Sequence, residues 1–186
     1  MLTHQGSKTL ETSRLLLRKA RREDALPMFR NWASDPEVTR FLTWLPYQKA
    51  EDAIPVHERW ESGYQQPSFY LWMIELKEVG EPIGSISVTQ LDEDVREAEI
   101  GYCIGRPWWH RGIMTEALTA VIDCLFREVG MNRIVAVHDV RNPHSGGVMK
   151  KCAMQLEGIS RQSARNNQGI CDEVHYAILR CDWEMA

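Results

Sequence analysis

The chain has 186 residues, of which 44% are hydrophobic and 26% charged, with a net charge of −4 and a pI near 5.9. That is enough chain for one domain with a substantial core and too little for two ordinary ones, so residues 1–186 are read as a single domain. No apolar run approaches the roughly 20 residues of a membrane helix, the start MLTHQGSKTLE lacks an apolar signal segment, and the acidic balance argues against nucleic acid as a partner. The expectation is a cytoplasmic protein.

The cysteines, Cys103, Cys124, Cys152, Cys171 and Cys181, are odd in number and show no C-x-x-C spacing. They read as reduced thiols. No two histidines stand at i, i+4, and no metal site is expected.

In chain order, residues 1–8 are polar and expected to fray. Arg14-Leu15-Leu16-Leu17-Arg18 reads as the first strand. A helix follows, with Asp24 as its N-cap, Pro27 early, and Ala25, Met28, Phe29 and Trp32 on one side. Asp35-Pro36 starts a short second helix, and Thr43 to Pro46 is loop. Residues 48–63 read as helix, kinked or divided at Pro55. Strands are expected over 68–76, 83–90 and 97–104, joined by short turns and therefore antiparallel.

Ile100 to Phe126 is the stretch that points to chemistry. Ile100, Tyr102 and Ile104 alternate as one strand face does; Gly105, Arg106 and Pro107 end the strand, and Gly112 opens a long amphipathic helix. The first turn of such a helix carries backbone N–H groups without intrahelical partners, and the helix dipole adds positive charge there. It is a ready site for a diphosphate, which Gly112 lets approach closely. Neither a G-K-[ST] phosphate loop nor the G-x-G-x-x-G of a dinucleotide-binding oxidoreductase is present. Gly130 ends the helix. A strand over 133–138, a helix from Asn142-Pro143 through Lys151, and strands over 155–160 and 170–180 complete the chain, with a locally parallel arrangement after the central helix.

Glu99-Ile100-Gly101-Tyr102-Cys103-Ile104, followed by Trp109, Gly112, Ile113 and Thr115-Glu116-Ala117, resembles motif A of the GNAT (Gcn5-related) N-acetyltransferases in their RimJ/RimL-like branch. Asn142, Ser145, Val148 and Lys151 resemble motif B, and Thr12 to Arg18 is similar to the T-x-R-L-x-L-R opening of that branch. Met114, where a small residue is usual, and Ala153-Met154, where Gly-Phe is usual, depart from the pattern; Met114 is large enough to crowd the cofactor. The resemblance implies an α/β (α+β) domain, with a mixed, mostly antiparallel sheet of six or seven strands flanked by about four helices. It implies transfer of an acetyl group from acetyl-CoA, without a metal, to the amine of a protein N-terminus or small molecule. It is compatible with a homodimer.

By that resemblance the cofactor is held by Tyr102, Cys103 and Ile104 at the strand end, by the backbone of Trp109, His110, Arg111, Gly112, Ile113, Met114 and Thr115, and by Asn142 and Lys151. The strand ending at Ile104 should splay from the 133–138 strand to receive the pantetheine as an added strand. Arg111 either contacts phosphate or is solvated. Asn142 is a cofactor contact, a helix cap, or both. Phe41 and Trp44 are the expected acceptor wall. An amine must lose its proton before attack, and a carboxylate is the usual means; Glu99 is the first candidate, then Glu97, then Glu173. Ser145 matches the position that protonates the departing thiolate, with Tyr176 as the alternative. The reading from another class is a non-catalytic acyl-CoA sensor on the same fold.

Overall fold

The computed structural model describes residues 2–185. Eight strands form one sheet: β1 (Leu10–Glu11), β2 (Leu15–Arg18), β3 (Leu71–Leu76), β4 (Glu81–Asp92), β5 (Glu97–Ile104), β6 (Arg133–Asp139), β7 (Gln155–Asn166) and β8 (Gly169–Leu179). Their order is β1-β2-β3-β4-β5-β6-β8-β7. Every pair is antiparallel except β5 with β6, which run parallel. The helices are α1 (Ala25–Met28), α2 (Pro36–Thr39), α3 (Ile54–Gly63), α4 (Ile113–Cys124), α5 (Pro143–Lys151) and α6 (Arg180–Glu184). The count exceeds six or seven strands and four helices because β1 has two residues and α6 five. Elements this short carry no periodicity to read.

Alternation along the strands assigns the two faces. Ala98 and Ile100 of β5, Ile134 and Ala136 of β6, and Val174, Tyr176 and Ile178 of β8 join the main core beneath α4 and α5. Cys103 and Met73 face the other way, into a smaller cluster with Met28, Trp32, Ala33 and Ala53 from the α1–α3 side. β3 is almost wholly buried because both faces are covered.

Local signals explain the helix ends. Asp35 caps α2 by accepting from the Glu37 N–H at 2.9 Å, with Pro36 in the first position. Pro55 falls in the first turn of α3, so residues 50–63 divide into a 3-10 turn and a helix. Gly130, at φ 90°, ends the α4 segment. One expectation is corrected. Asp24 makes no side-chain bond as N-cap of α1; its carboxylate accepts instead from the Arg21 N–H at 2.7 Å, at the start of the 3-10 turn that precedes α1, and is the buried partner of Arg18, at 2.7 and 2.9 Å. Residues 2–8 make bonds to distant segments. Thr3 N–H bonds to Val129 O at 2.9 Å, Gly6 N–H to Pro67 O at 2.7 Å, and the buried Ser7 bridges Phe69 and Leu71. Met1 lies outside the described residues.

Candidate active site

The parallel pairing of β5 and β6 stops early. Glu97, Ala98 and Glu99 pair with Arg133, Ile134 and Val135, and no register continues beyond Val135. β5 goes on to Ile104 alongside β4, while β6 goes on to Asp139 alongside β8. The two strands therefore splay into a wedge whose vertex is at Glu99. β5 backbone facing the wedge is without a strand partner there, and such an edge accepts an extended amide-bearing chain.

Beyond the wedge, α4 begins. The backbone N–H groups of residues 110–115 have no acceptor among the described residues, and the first α-helical bond runs from Glu116 N–H to Gly112 O at 3.1 Å. Gly112 is left-handed at φ 71° and His110 at φ 59°. The left-handed backbone is what demands glycine at 112, since a Cβ there would meet only the Arg14 Nη2 at 3.7 Å. Trp109 braces the loop by donating its indole N–H to Ile104 O at 2.8 Å. Met114 is 5% exposed and packs into the main core with Ile113. Thr115 is half-buried. Arg111 is exposed, 3.7 Å from Glu78.

Helix α5 opens on the same region. Asn142 occupies its N-cap position, but its side chain makes no capping bond and is left for another partner. His144 meets His110 edge-on at 4.8 Å, joining the starts of α4 and α5. Gly146 lets α5 approach β6, because a Cβ there would stand 2.5 Å from the His138 Nε2. Ser145 does not cap the helix: its hydroxyl donates to the Tyr102 hydroxyl at 3.0 Å, and that hydroxyl donates to Ser145 O at 3.0 Å. This pair spans from β5 to α5 across the mouth of the wedge. Tyr176 is buried on β8 on the same face, stacked on His138 with ring centres 5.8 Å apart. Lys151, at the far end of α5, is exposed and joins none of the ion pairs among the described residues.

On the opposite face of β5, Glu99 accepts from the Thr89 hydroxyl at 2.7 Å. Glu97 is engaged instead by Arg133 at 2.6 Å, which also holds Glu157 at 2.6 and 2.5 Å. Glu173 accepts from Ser163 at 3.1 Å on the long β7–β8 hairpin. Cys103 packs into the α1–α3 cluster, 3.5 Å from the Ser85 hydroxyl, and burial raises its thiol pKa. That environment keeps it a thiol.

Phe41 and Trp44 lie on the segment after α2, on this same side. Trp44 packs on Tyr47 at 5.2 Å and belongs to the cluster containing Cys103. Guanidinium groups of Arg40 and Arg141 stand 5.2 and 6.0 Å from the Phe41 ring. Asn167, in the β7–β8 turn, anchors the segment. Its amide donates to Thr39 O at 2.9 Å and Trp44 O at 2.6 Å, and its backbone N–H to Leu42 O at 3.0 Å. Next to it, Asn166 donates to Asp139 at 2.7 Å, and Arg141 holds Asp139 at 2.9 and 2.6 Å. The Arg141 contact, outweighing burial, keeps the Asp139 carboxyl well below the usual carboxylate range.

Sequence reasoning missed Asn167, Thr89 and the contacts of Glu116. Glu116 accepts from the Thr12 hydroxyl at 2.6 Å, the Ser13 hydroxyl at 3.1 Å, the Arg14 N–H at 3.0 Å and the Arg14 Nε at 2.7 Å. The signal was present only as two short motifs, at 12–18 and 115–117, with nothing to say that they touch. Among the described residues, no group of three His, Cys, Asp or Glu side chains is placed to hold a metal, and no helix is long and apolar enough to cross a membrane.

The family described as acetyltransferase (GNAT) domain matches residues 14–155, from the β1–β2 turn to the start of β7. The chain is 30% identical to the uncharacterized N-acetyltransferase p20 of Bacillus licheniformis over 175 residues, 94% of this chain and 98% of that protein. It is 32% identical over 84 residues to the ribosomal protein uS5-alanine N-acetyltransferase of Escherichia coli, which is 45% of this chain and 43% of that one. The solved structure of the microcin C7 self immunity acetyltransferase MccE, in complex with acetyl-CoA and AMP, superposes with a TM-score of 0.82 at 19% identity, covering 90% of this chain and 93% of that one.

Proposed function

Because the chain belongs to the GNAT acetyltransferase family and is an acetyl-CoA-dependent N-acetyltransferase, we propose that it acetylates a primary amine, of a protein N-terminus or a small molecule, by direct attack within a ternary complex at the β5–β6 wedge. The observation that carries this reading is the run of unpartnered N–H groups at residues 110–115 beside an unpaired strand edge. The N–H groups and the α4 dipole suit a diphosphate, and the open edge of β5, from Tyr102 to Ile104, suits the amides of a pantetheine arm. Asn142, free of capping duty, extends the same side. The bound cofactor supplies an activated thioester.

The two faces of the sheet divide the remaining work. Glu99 faces the α1–α3 side of the sheet, the side on which Phe41 and Trp44 lie, and serves as the base that takes the proton from the incoming amine. Glu97 is the weaker candidate because Arg133 already compensates its charge. Glu173, opposite Asp139 on β8, is held by the Ser163 hydroxyl. Ser145 lies on the α5 side, held by Tyr102, and its hydroxyl, turned from the phenol, is the donor to the sulfur that departs. Tyr176 is next to them but stacked into the core. The amine adds to the thioester carbonyl, and the tetrahedral intermediate expels the thiolate, so no acyl-enzyme forms and Cys103 is left without a nucleophilic role.

The test is calorimetric binding of acetyl-CoA, followed by thiol release against a panel of amines and short peptides with free N-termini. Binding with turnover on one class of the panel is expected and identifies the acceptor. Failure to bind acetyl-CoA would refute the wedge reading.

A further inference from the structure

The loop that begins α4 includes a costly backbone conformation. His110, not a glycine, is left-handed, as is Gly112, with Arg111 between them. Such backbone persists only where its surroundings over-determine it. The support comes from ninety-odd residues away in sequence: Arg14 donates its Nη1 to Arg111 O at 3.0 Å, while its Nε and backbone N–H are fixed on Glu116 at 2.7 and 3.0 Å. Thr12 and Ser13 complete the hold on that carboxylate. Glu116 lies in the opening turns of α4, so one clamp grips both the loop and the helix it feeds.

The consequence follows from peptide geometry. A trans peptide points its C=O and the next N–H in opposite directions. Arg111 O and Gly112 N–H share one peptide. Holding the oxygen toward Arg14 therefore turns the Gly112 N–H away from Arg14, to the outer side of the loop. We propose that Arg14 and Glu116 are positioning residues for the diphosphate end of the acetyl-CoA site, with Arg14 aiming the Gly112 N–H by fixing the Arg111 carbonyl. Arg14 acts through the backbone and not as a phosphate ligand, since its charge is already committed to Glu116. This inference rests on the acetyl-CoA site proposed above.

The experiment measures binding of two probes, acetyl-CoA and S-acetylpantetheine, which lacks the diphosphate, by calorimetry and NMR titration respectively. Arg14→Gln, Arg14→Lys and Glu116→Gln are compared with wild type, and circular dichroism confirms folding. Losing a hydrogen bond from an ionised group should weaken acetyl-CoA about tenfold in Arg14→Gln and Glu116→Gln, with S-acetylpantetheine unchanged. Arg14→Lys keeps the charge but not the fork that reaches both Glu116 and Arg111, so it too should weaken acetyl-CoA several-fold; it decides the matter if Arg14→Gln does not fold. Wild-type affinity in Arg14→Lys would overturn the proposal in favour of simple charge, and equal weakening of both probes would overturn it in favour of general loss of structure. If wild type itself fails to bind acetyl-CoA, the site reading falls first and this inference with it.

Discussion

Tyr102 and Ser145 exchange two hydrogen bonds across the mouth of the wedge, each at 3.0 Å. The pattern fixes their protons: the serine hydroxyl points at the phenol oxygen, and the phenol proton points at the serine carbonyl. Burial raises the Tyr102 pKa, partly offset by the Ser145 hydroxyl, so the phenol stays protonated at neutral pH. A serine is too weak an acid to surrender its proton fully to a thiolate. Its contribution is a hydrogen bond to the departing sulfur, made when the hydroxyl turns from the Tyr102 oxygen toward the thiolate, while Tyr102, donating to the Ser145 carbonyl, holds the start of α5 in place.

Removing the donor should therefore lower kcat more than it raises the KM for acetyl-CoA. Ser145→Ala is expected to reduce kcat about a hundredfold, and Tyr102→Phe by less. Because the two residues form one unit, the double variant should be barely slower than Ser145→Ala alone. Thiol-release kinetics measure this, and independent, multiplying effects would show that the pair is merely structural.

Glu99 stands at the vertex of the wedge on the acceptor side, oriented by Thr89. Glu99→Gln keeps the hydrogen bond to Thr89 and loses the base, so kcat at pH 7 should fall about a hundredfold or more. The deficit should shrink once bulk solvent deprotonates the amine, near pH 8 for an α-amine and only near pH 10 for a lysine-like one. The pH profile thus reports both the base and the acceptor class. A deficit that is constant with pH would remove Glu99 from the base role.

Asn167 holds the Phe41–Trp44 segment through three carbonyls. Asn167→Ala should loosen that segment alone. Hydrogen exchange should rise in peptides covering residues 39–47 and stay unchanged in β3 to β6, while acetyl-CoA affinity is unaltered and the acceptor KM rises about tenfold, the worth of one or two hydrogen bonds. A matching loss of acetyl-CoA affinity would contradict a role confined to the acceptor wall.

Much of this was legible in the sequence because it is local. The Asp35-Pro36 start, the Gly130 stop, the bounds of β5 and the helix start at Gly112 each follow from a few adjacent residues. What was not legible depends on tertiary pairing. Met114 stands out in a motif by its size, and only the fold shows that it packs into the core, because α4 buries that face against the sheet. Asp24 has the composition of a cap and does accept the Arg21 N–H, but its pairing with the buried Arg18 guanidinium has no local signal. Asn167 sits in a polar turn like many others, and only the fold brings it to residues 39–44.

Arg18 illustrates how costly such hidden pairings are to break. Its side chain and that of Asp24 are 7% and 4% exposed, and Glu75 closes the group at 2.6 Å. The Asp24 and Glu75 contacts, against burial, push the Arg18 pKa up, so the charge persists in the interior. Asp24→Ala should destabilise the fold by about 3–5 kcal/mol by leaving Arg18 under-compensated. Urea denaturation measures it, and a loss under about 1 kcal/mol would mean that Glu75 alone suffices.

Glu116 makes the fold acid-sensitive. Burial would raise its pKa, but the bonds from Thr12, the Arg14 N–H, the Arg14 guanidinium and Ser13 outweigh burial and hold it down to about 2. A folded pKa below the unfolded one stabilises the fold above the unfolded value and ceases to do so as pH falls through the folded value. The stabilisation is therefore complete near neutrality, on the order of 2–3 kcal/mol at most, and is lost between about pH 5 and pH 2. Glu116→Gln keeps an acceptor for Thr12 and cannot titrate. It should be less stable than wild type at pH 7, and the gap between the two melting curves should close as pH falls through that window. Melting temperatures followed by circular dichroism from pH 7 downward decide it: a gap that stays constant with pH would mean that the clamp holds by shape alone and that the charge of Glu116 contributes nothing to the fold.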